Sequence, residues 1–303
     1  MNNKKMLLSD LSLLVTAFVW GSGFVAVKNA LDALSPMYIM TLRFGIAALL
    51  TGILFYRKVI TIDKEDLKAG LIIGLFLFSA FTTQTIGLQY TLAGKQAFLT
   101  GTNVVMVPFL FWLTSKERPD KFSVFAAILM IVGIGLLTLD LNKGFVLNKG
   151  DVLTLLCALL FACHMVTVGI YAKKHDPIKL TVIQLGVAFI LSLVIMFATN
   201  DPILFIPNNG IYEVLFLGLF CTFMAYLIQN IAQKYTTPSH AALLLSLESF
   251  FGSIMSVIFL GDLFSPNMIV GSALIFTAII TAETKWAFLK SKKESQSIEM
   301  NNG

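Results

Sequence analysis

The chain contains a weak internal repeat that covers most of its length, and this repeat restricts the possible folds more than any other feature. A shift of 141 residues places Asp10 on Asp151, and a shift of 145 residues further along places Gln84 on Gln229. Each copy holds five apolar segments. Because five is an odd number, two copies that pass through one bilayer must have opposite orientations. The repeat therefore predicts two halves that are inverted relative to each other.

Composition indicates the environment in which these halves fold. Charged residues make up 13% of the chain, about half of their share in a soluble domain. Apolar runs of about 18 to 22 residues are long enough to cross a hydrocarbon core of about 30 Å as helices. The sequence predicts ten such helices, at 8–29, 36–56, 69–90, 94–114, 122–139, 151–172, 178–199, 211–233, 239–260 and 266–286.

The predicted fold class is therefore an all-α integral membrane protein. Its ten transmembrane helices form two inverted five-helix repeats, the first at 1–142 and the second at 148–287. A short polar tail is expected at 288–303. Inverted repeats of this kind are frequent in secondary transporters, where a ligand site lies near the midplane at which the repeats meet.

The distribution of basic residues predicts the orientation in the membrane, because Lys and Arg are retained on the cytoplasmic side. With the N-terminus inside, the great majority of the 22 Lys and Arg residues flank the cytoplasmic ends of helices, and the outer loops hold only Lys143 and Lys149. Both termini are therefore predicted to be cytoplasmic, in a prokaryotic plasma membrane. Contact with anionic membrane lipid accounts for the net charge of +5, so no nucleic-acid partner is expected.

Prolines mark several predicted helix starts. Ser35-Pro36 and Asp176-Pro177 each place a capping side chain before a proline, an order that suits a helix N-terminus. Pro108 is different, because it lies inside the fourth predicted helix and frees a backbone carbonyl there. Two interpretations of Pro108 stay open. It introduces either a kink that a hydroxyl group or water satisfies, or a bend that lines a cavity or acts as a hinge.

The sequence offers no signature of metal or nucleotide chemistry. Its three cysteines, Cys157, Cys163 and Cys221, lie in apolar spans without the spacing of a metal site, and small buried hydrophobic side chains are the better interpretation. No phosphate-binding loop and no zinc-protease motif is present. We therefore expect no cofactor, no metal, no catalytic residues and no enzymatic activity.

Ionisable residues inside predicted spans are the main candidates for function, because they are costly at membrane depth and often mark a substrate or ion route. Glu248 is interpreted either as a protonated group bonded between helices or as a site of proton coupling. Arg43 forms either a buried structural pair, for which Glu248 is a candidate partner, or a substrate contact. His164 is either a packing residue or a group that titrates near neutral pH. Lys95 either reaches the headgroups or lines an outer vestibule.

Several motifs resemble those of EamA-type members of the drug/metabolite transporter superfamily. They are residues 18–28 (FVWGSGFVAVK), the pair Arg43-Phe44, and residues 87–100 (GLQYTLAGKQAFLT), which lead to Val107-Pro108. A second-half equivalent of the last motif begins at Tyr235. The resemblance covers essentially the whole chain, and its motifs do not specify a substrate.

The resemblance implies a ten-helix fold around a central cavity that is lined by the first, third, fourth, sixth, eighth and ninth helices. The implied wall candidates are Trp20, Phe24, Thr82, Asn103, His164, Tyr226 and Glu248. Arg43 on the second helix is then expected to act through another residue or through a gate. The residues proposed for coupling or gating are Glu248, His164, Arg43, Lys95 and Pro108.

The leading hypothesis is a secondary active transporter that moves a small organic metabolite, an amino acid or a similar compound, by alternating access. Export is the expected direction on the basis of the resemblance, and a proton is a candidate coupling ion. The alternatives are a facilitator or uptake carrier for another metabolite, an intramembrane enzyme, and a channel or sensor. The outer helices are candidates for a homodimer contact.

Overall fold

A computed structural model describes residues 3–116, 118–140, 144–145, 147–199, 208–236 and 238–284. Within these ranges the chain is helical apart from turns and one very short β-pair. The predicted tail at 288–303 lies outside the described residues.

The helices follow one another along the chain with short connections. The first half contains α1 (Asn3–Leu31), α2 (Pro36–Leu54), α3 (Tyr56–Val59), α4 (Lys64–Leu88), α5 (Ala93–Gly101), α6 (Asn103–Ser115) and α7 (Lys121–Thr138). An antiparallel pair, β1 (Leu139–Asp140) with β2 (Gly144–Phe145), follows. The second half contains α8 (Lys149–Tyr171), α9 (Pro177–Ala198), α10 (Asn208–Phe216), a π-helical segment (Leu217–Met224), α11 (Ala225–Gln233), α12 (Pro238–Leu260) and α13 (Pro266–Thr284).

Most of these helices have the length and composition of membrane spans. Eight described stretches are long and apolar enough to cross a bilayer, and they correspond to the first eight predicted segments. The ninth and tenth predicted segments fall on α12 and α13, whose apolar stretches Leu244–Leu260 and Pro266–Ala282 are shorter. The chain is thus an all-helical, multi-pass membrane protein.

The predicted helix starts at Ser35-Pro36 and Asp176-Pro177 are confirmed. The Ser35 hydroxyl accepts a hydrogen bond from the Tyr38 N–H at 3.2 Å, and the Asp176 carboxylate caps α9 in the same way. Proline occupies the first turn in both helices, where its missing N–H group costs nothing. Local side-chain chemistry therefore sets where α2 and α9 begin.

Helices of one half pack mainly against helices of the other half. The most extensive contacts pair α1 with α12, α4 with α8 and α9, α2 with α9, and α7 with α13. Each of these pairs joins a helix of the first half to a helix of the second. The apolar core therefore lies between the halves, and neither half encloses a core of its own.

The contact between α7 and α13 depends on two glycines that let the backbones approach closely. A Cβ atom on Gly271 would lie 2.5 Å from the backbone nitrogen of Leu137, and one on Gly133 would lie 3.0 Å from the Gly271 carbonyl oxygen. Neither backbone atom can move away as a flexible side chain would. Small residues at such crossings are the usual means of close helix packing in membranes.

We expect Gly271→Ala to lower the apparent melting temperature of the detergent-purified protein, because the added methyl group forces the two helices apart at a cost of about 1–3 kcal/mol. Gly186→Ala is the matched control, since nothing lies within 4 Å of a Cβ atom at that position. Thermal unfolding of both variants measures the difference. Equal melting temperatures for the two variants would contradict the close approach.

Charged side chains join the halves at one end of the bundle. The Asp66 carboxylate bonds to His175 at 2.8 Å and to Lys179 at 2.6 Å, and Lys58 lies 2.6 Å from Asp176. Burial raises the pKa of the Asp176 carboxyl group, but the hydrogen bonds that it accepts, including the one from Lys58, outweigh this effect and lower the pKa overall. We call this the basic end.

A second polar cluster lies at the opposite end, where α4 finishes. Lys95 Nζ lies 2.8 Å from Asp151 Oδ2, and the Thr91 hydroxyl donates to Asp151 Oδ1 at 3.1 Å. Lys28 Nζ donates to the Leu88 carbonyl oxygen at 2.9 Å. We call this the Lys95 end. The two clusters bind the halves together at both ends of the bundle.

Candidate functional site

A cavity lies between the two ends of the bundle, and it has about 690 Å³ of empty space together with its open mouth. Its wall is mostly apolar and aromatic and carries a few polar groups, a combination typical of small-molecule sites. The lining residues are Trp20, Gly23, Phe24, Val27, Arg43, Phe81, Gln84, Leu88, Gln96, Asn103, Phe161, His164, Met165, Leu217, Cys221, Tyr226, Gln229, Leu245, Ser246 and Glu248.

Six of the seven predicted wall residues line this cavity, namely Trp20, Phe24, Asn103, His164, Tyr226 and Glu248. The seventh, Thr82, does not line it, because its hydroxyl donates to the Phe78 carbonyl oxygen at 2.8 Å within α4. A threonine in a helix often bonds in this way to the carbonyl four residues earlier. Contact of any of these residues with a substrate stays a prediction.

Arg43 lies in the cavity wall itself, whereas the resemblance implied that it acts from outside the wall. Its side chain is buried, and Nε donates to the Thr222 hydroxyl at 3.0 Å. The guanidinium carbon lies 4.3 Å from the centre of the Phe81 ring, within cation–π distance. The partner of Arg43 is therefore Thr222 and not Glu248. Among the described residues this is its one hydrogen bond, so the terminal amino groups are left for a ligand.

The π-helical segment between α10 and α11 was not predicted, and it positions Thr222. In that segment the Thr222 hydroxyl donates to the Leu217 carbonyl oxygen at 2.7 Å while it accepts from Arg43. The Cys221 carbonyl oxygen accepts from the Trp20 indole N–H at 2.8 Å. In both bonds a carbonyl oxygen of the π-helical segment accepts from a side-chain donor. Segments of this kind are frequent at functional sites.

Glu248 and Asn103 contribute polar groups from neighbouring helices. Asn103 is the first residue of α6, directly after a break in the helix at Thr102, and Glu248 lies within α12. Both side chains are 8% exposed. Glu248 makes no hydrogen bond to any residue that the structure describes, so its carboxyl group is left for a ligand or a proton.

His164 faces the cavity from α8 and is held by one polar partner. Its Nε2 lies 2.8 Å from Gln184 Oε1 on α9, and its ring packs edge to face against Tyr226 at 5.7 Å between centroids. Because the Gln184 oxygen only accepts hydrogen bonds, the proton of a neutral His164 is on Nε2, on the assigned amide orientation. The other ring nitrogen is then an acceptor.

Aromatic rings form much of the remaining wall. Tyr226 lies 5.2 Å from Trp20 and 6.0 Å from Phe81, measured between ring centroids, and Phe81 lies 5.2 Å from Phe161. These two contacts of Phe81 are edge to face, an arrangement that aromatic pairs prefer. The rings give the cavity an aromatic surface beside its few polar groups.

Lys95 and Pro108 lie outside the cavity wall. Lys95 pairs with Asp151, and their side chains are 11% and 0% exposed, respectively. Lys95 therefore neither reaches the headgroups nor lines a vestibule as a free charge. Pro108 lies within α6, and the helix break occurs earlier, at Thr102. A role of either residue in gating stays a prediction.

Sequence reasoning did not select Phe81, Phe161 or Gln96 for the wall. The repeat itself carried a signal for the first two, because Phe161 corresponds to Trp20 and Phe81 corresponds to Tyr226. The repeat gave no comparable signal for Gln96, because the equivalent residue of the second repeat is Ala241. Within the described ranges no group of three or more His, Cys, Asp or Glu residues is arranged to hold a metal ion.

An all-helical bundle with membrane-length helices around a buried, partly polar cavity is the architecture of a multi-pass membrane transport protein. The chain belongs to the EamA-like transporter family, whose sequence profile matches residues 7–139 and 148–283. This confirms the resemblance to EamA-type members of the drug/metabolite transporter superfamily. Proteins of the family transport small molecules.

Relatives of the chain are named as transporters. An uncharacterized transporter of Archaeoglobus fulgidus is 38% identical over 277 residues, which cover 91% of this chain and 86% of that protein. The S-adenosylmethionine/S-adenosylhomocysteine transporter of Chlamydia muridarum is 24% identical over 294 residues, 87% of this chain and 90% of that protein. A solved crystal structure with 15% identity has a TM-score of 0.65, covers 90% of this chain and 96% of its own, and supports the fold alone.

We expect Lys95→Met to destabilise the protein by about 3–5 kcal/mol, because it leaves the Asp151 carboxylate buried without its counter-charge. The double variant with Asp151→Asn should recover part of this loss, as a thermal-unfolding double-mutant cycle in detergent would measure. Lys58→Met is the control, because its pair with Asp176 is more exposed and is worth about 0–1 kcal/mol. Equal losses for Lys95→Met and Lys58→Met would refute the buried pair.

Proposed function

We propose that the chain is a secondary active transporter that moves a small organic metabolite, an amino acid or a similar zwitterion, across the plasma membrane by alternating access. One observation carries this proposal. The cavity contains a buried guanidinium, Arg43, and a buried carboxyl group, Glu248, that do not pair with each other. Buried groups of this kind need a partner, and the carboxylate and ammonium groups of an amino acid provide one for each.

The proposed architecture has ten transmembrane helices in two inverted five-helix repeats. The arrangement of the cavity wall supports it, because residues related by the 141- and 145-residue shifts meet there. The pairs are Trp20 with Phe161, Gly23 with His164, Phe24 with Met165, Phe81 with Tyr226, Gln84 with Gln229, and Asn103 with Glu248. A cavity built from such pairs is what a twofold relation between the repeats would produce.

The positions of two connecting turns support the inversion. Leu34 follows α1 and lies beside the position of Gly210, at the Lys95 end of the bundle. Its repeat equivalent, His175, follows α8 and bonds to Asp66 at the basic end. Equivalent turns therefore lie at opposite ends, as expected when one repeat is inverted relative to the other.

The proposed orientation places the basic end in the cytoplasm, because short loops rich in Lys and Arg are retained there. Export is the proposed direction. The proposed energy source is a proton that binds Glu248 or His164, both of which lie in the cavity. A facilitator that moves the same metabolite without coupling is the alternative. The relative named for S-adenosylmethionine and S-adenosylhomocysteine supports an organic metabolite as the cargo.

We expect an amino acid to raise the melting temperature of the purified protein in a thermal-shift screen of the common amino acids, because a ligand of the folded state stabilises it. Arg43→Gln should weaken this binding by about 10- to 100-fold, because it removes a charged hydrogen bond to the ligand that is worth about 1.5–3 kcal/mol. Arg57→Gln is the matched control, since Arg57 is exposed. A zwitterion that binds Arg43→Gln as tightly as it binds the parent protein would contradict this role.

We expect Glu248→Gln to abolish accumulation driven by a pH gradient in proteoliposomes, because an amide cannot bind and release the coupling proton. The probe is the radiolabelled amino acid that the binding screen selects, and flux is measured with and without the gradient. Glu65→Gln makes the same substitution at an exposed position and should leave flux unchanged. Gradient-driven flux that survives in Glu248→Gln would remove Glu248 from the coupling mechanism.

A further inference from the structure

A second group of buried polar side chains lies beside the cavity, between α8, α9 and α11. The Asn230 amide donates to the Thr181 hydroxyl at 2.8 Å, which joins α11 to α9. Gln184 lies one turn further along α9 and bonds to His164. All of these side chains are at most 1% exposed. We call the set the amide seam: Thr181, Gln184, Gln229, Asn230 and Gln233.

The amide seam contains four buried polar atoms that have no hydrogen-bond partner among the described residues. They are Gln184 Nε2, Gln229 Oε1, Asn230 Oδ1 and Gln233 Nε2. Two of these atoms are donors and two are acceptors. This division into donors and acceptors follows the assigned orientation of each amide.

Water is the ligand that fits this mixture of donors and acceptors. An unpaired buried polar atom costs free energy, and a buried water that makes about three hydrogen bonds recovers it. A cation would satisfy the two oxygen atoms and would leave the two N–H donors without partners. A water molecule both donates and accepts, so it suits both kinds of atom.

The amide seam begins at the cavity and ends near the basic end. Gln229 and His164 line the cavity. Gln233 is the last residue of α11 and is followed by the exposed Lys234, whose positive charge contributes to lowering the pKa of Asp176 at the basic end. The four unpartnered atoms therefore lie between the cavity and one face of the membrane bundle.

The first repeat has only part of an equivalent seam. Gln184, Gln229 and Asn230 correspond to Arg43, Gln84 and Thr85, and the Thr85 hydroxyl is also buried without a partner among the described residues. Thr181 and Gln233 correspond to Met40 and Leu88, whose side chains offer no strong hydrogen-bond donor or acceptor. The polar groups at the Thr181 and Gln233 positions are therefore a property of the second repeat.

We infer that the amide seam binds a row of water molecules that connects the cavity with the basic end. Its existence does not depend on the proposed function, but its role does. With the basic end in the cytoplasm, the row is the route by which protons reach His164. The charged or titratable groups that share the cavity with His164 are Arg43, Cys221, Tyr226 and Glu248, so Glu248 is a second acceptor for a proton delivered there.

X-ray radiolytic footprinting of the protein in lipid nanodiscs tests this inference, because hydroxyl radicals formed from bound water oxidise the side chains next to it. The probe is water itself, and tandem mass spectrometry compares residues 227–233 with their repeat equivalents at 82–88. Both segments have one glutamine in the cavity wall, Gln229 and Gln84. After correction for the intrinsic reactivity of each side chain, we expect at least threefold faster oxidation in 227–233, at the buried residues and not at the exposed Ile231. Equal rates in the two segments of the parent protein would overturn the inference.

Two variants test the same inference. Gln233→Leu introduces the residue found at the equivalent position 88, and it should reduce oxidation of the unchanged residues 227–232 to the level of 82–87. Gln89→Leu, at an exposed position, is the control and should change neither rate. Unchanged oxidation in a folded Gln233→Leu protein would also overturn the inference. Footprinting requires no transport, so a protein without amino-acid flux but with fast oxidation would refute the proposed function and support the water row.

Discussion

Backbone hydrogen bonding in a hydrocarbon layer is the constraint on which the rest of this structure depends, since no water is available there to satisfy a free carbonyl group. The chain departs from regular α-helix in the π-helical segment, where two backbone carbonyls accept hydrogen bonds from side chains. Trp20 donates to the Cys221 carbonyl oxygen, and Thr222 donates to that of Leu217. Thr222 then accepts from Arg43. The irregular backbone thus also holds the buried cation in place.

The break between α5 and α6 follows the same logic from the first repeat. The Thr102 hydroxyl donates to the Leu99 carbonyl oxygen at the break, and Ser249 of α12 donates to the Ala97 carbonyl oxygen one turn earlier. Asn103 follows directly and faces the cavity. Both irregular segments therefore lie next to polar side chains at the cavity. Irregular backbone and binding groups occur together because each supplies the hydrogen bonds that the other needs.

The sequence predicts where the helices lie much better than which of their faces point inward. Length, hydropathy and Ser-Pro or Asp-Pro caps locate the segments, because these signals are local. A helix that is apolar all round carries no hydrophobic stripe that distinguishes lipid from core. Thr82 and Arg43 were misplaced for this reason, since only the packing of α2 against the π-helical segment turns Arg43 into the cavity. The repeat supplied the missing non-local information for Phe81 and Phe161, which follow from Tyr226 and Trp20.

The repeat also has an electrostatic consequence. Each ionisable residue of the site has a neutral counterpart at the equivalent position: His164 has Gly23, Glu248 has Asn103, and Arg43 has Gln184. Two carboxylates facing each other across one low-dielectric cavity would repel, and one of them would take up a proton, whereas two guanidinium groups would repel and both keep their charge. A cavity built from two equivalent halves therefore avoids this repulsion when it holds a given charge only once. The cation comes from the first repeat and the carboxyl group from the second, so the two repeats give the wall groups of opposite polarity, as the proposed binding of a zwitterion requires.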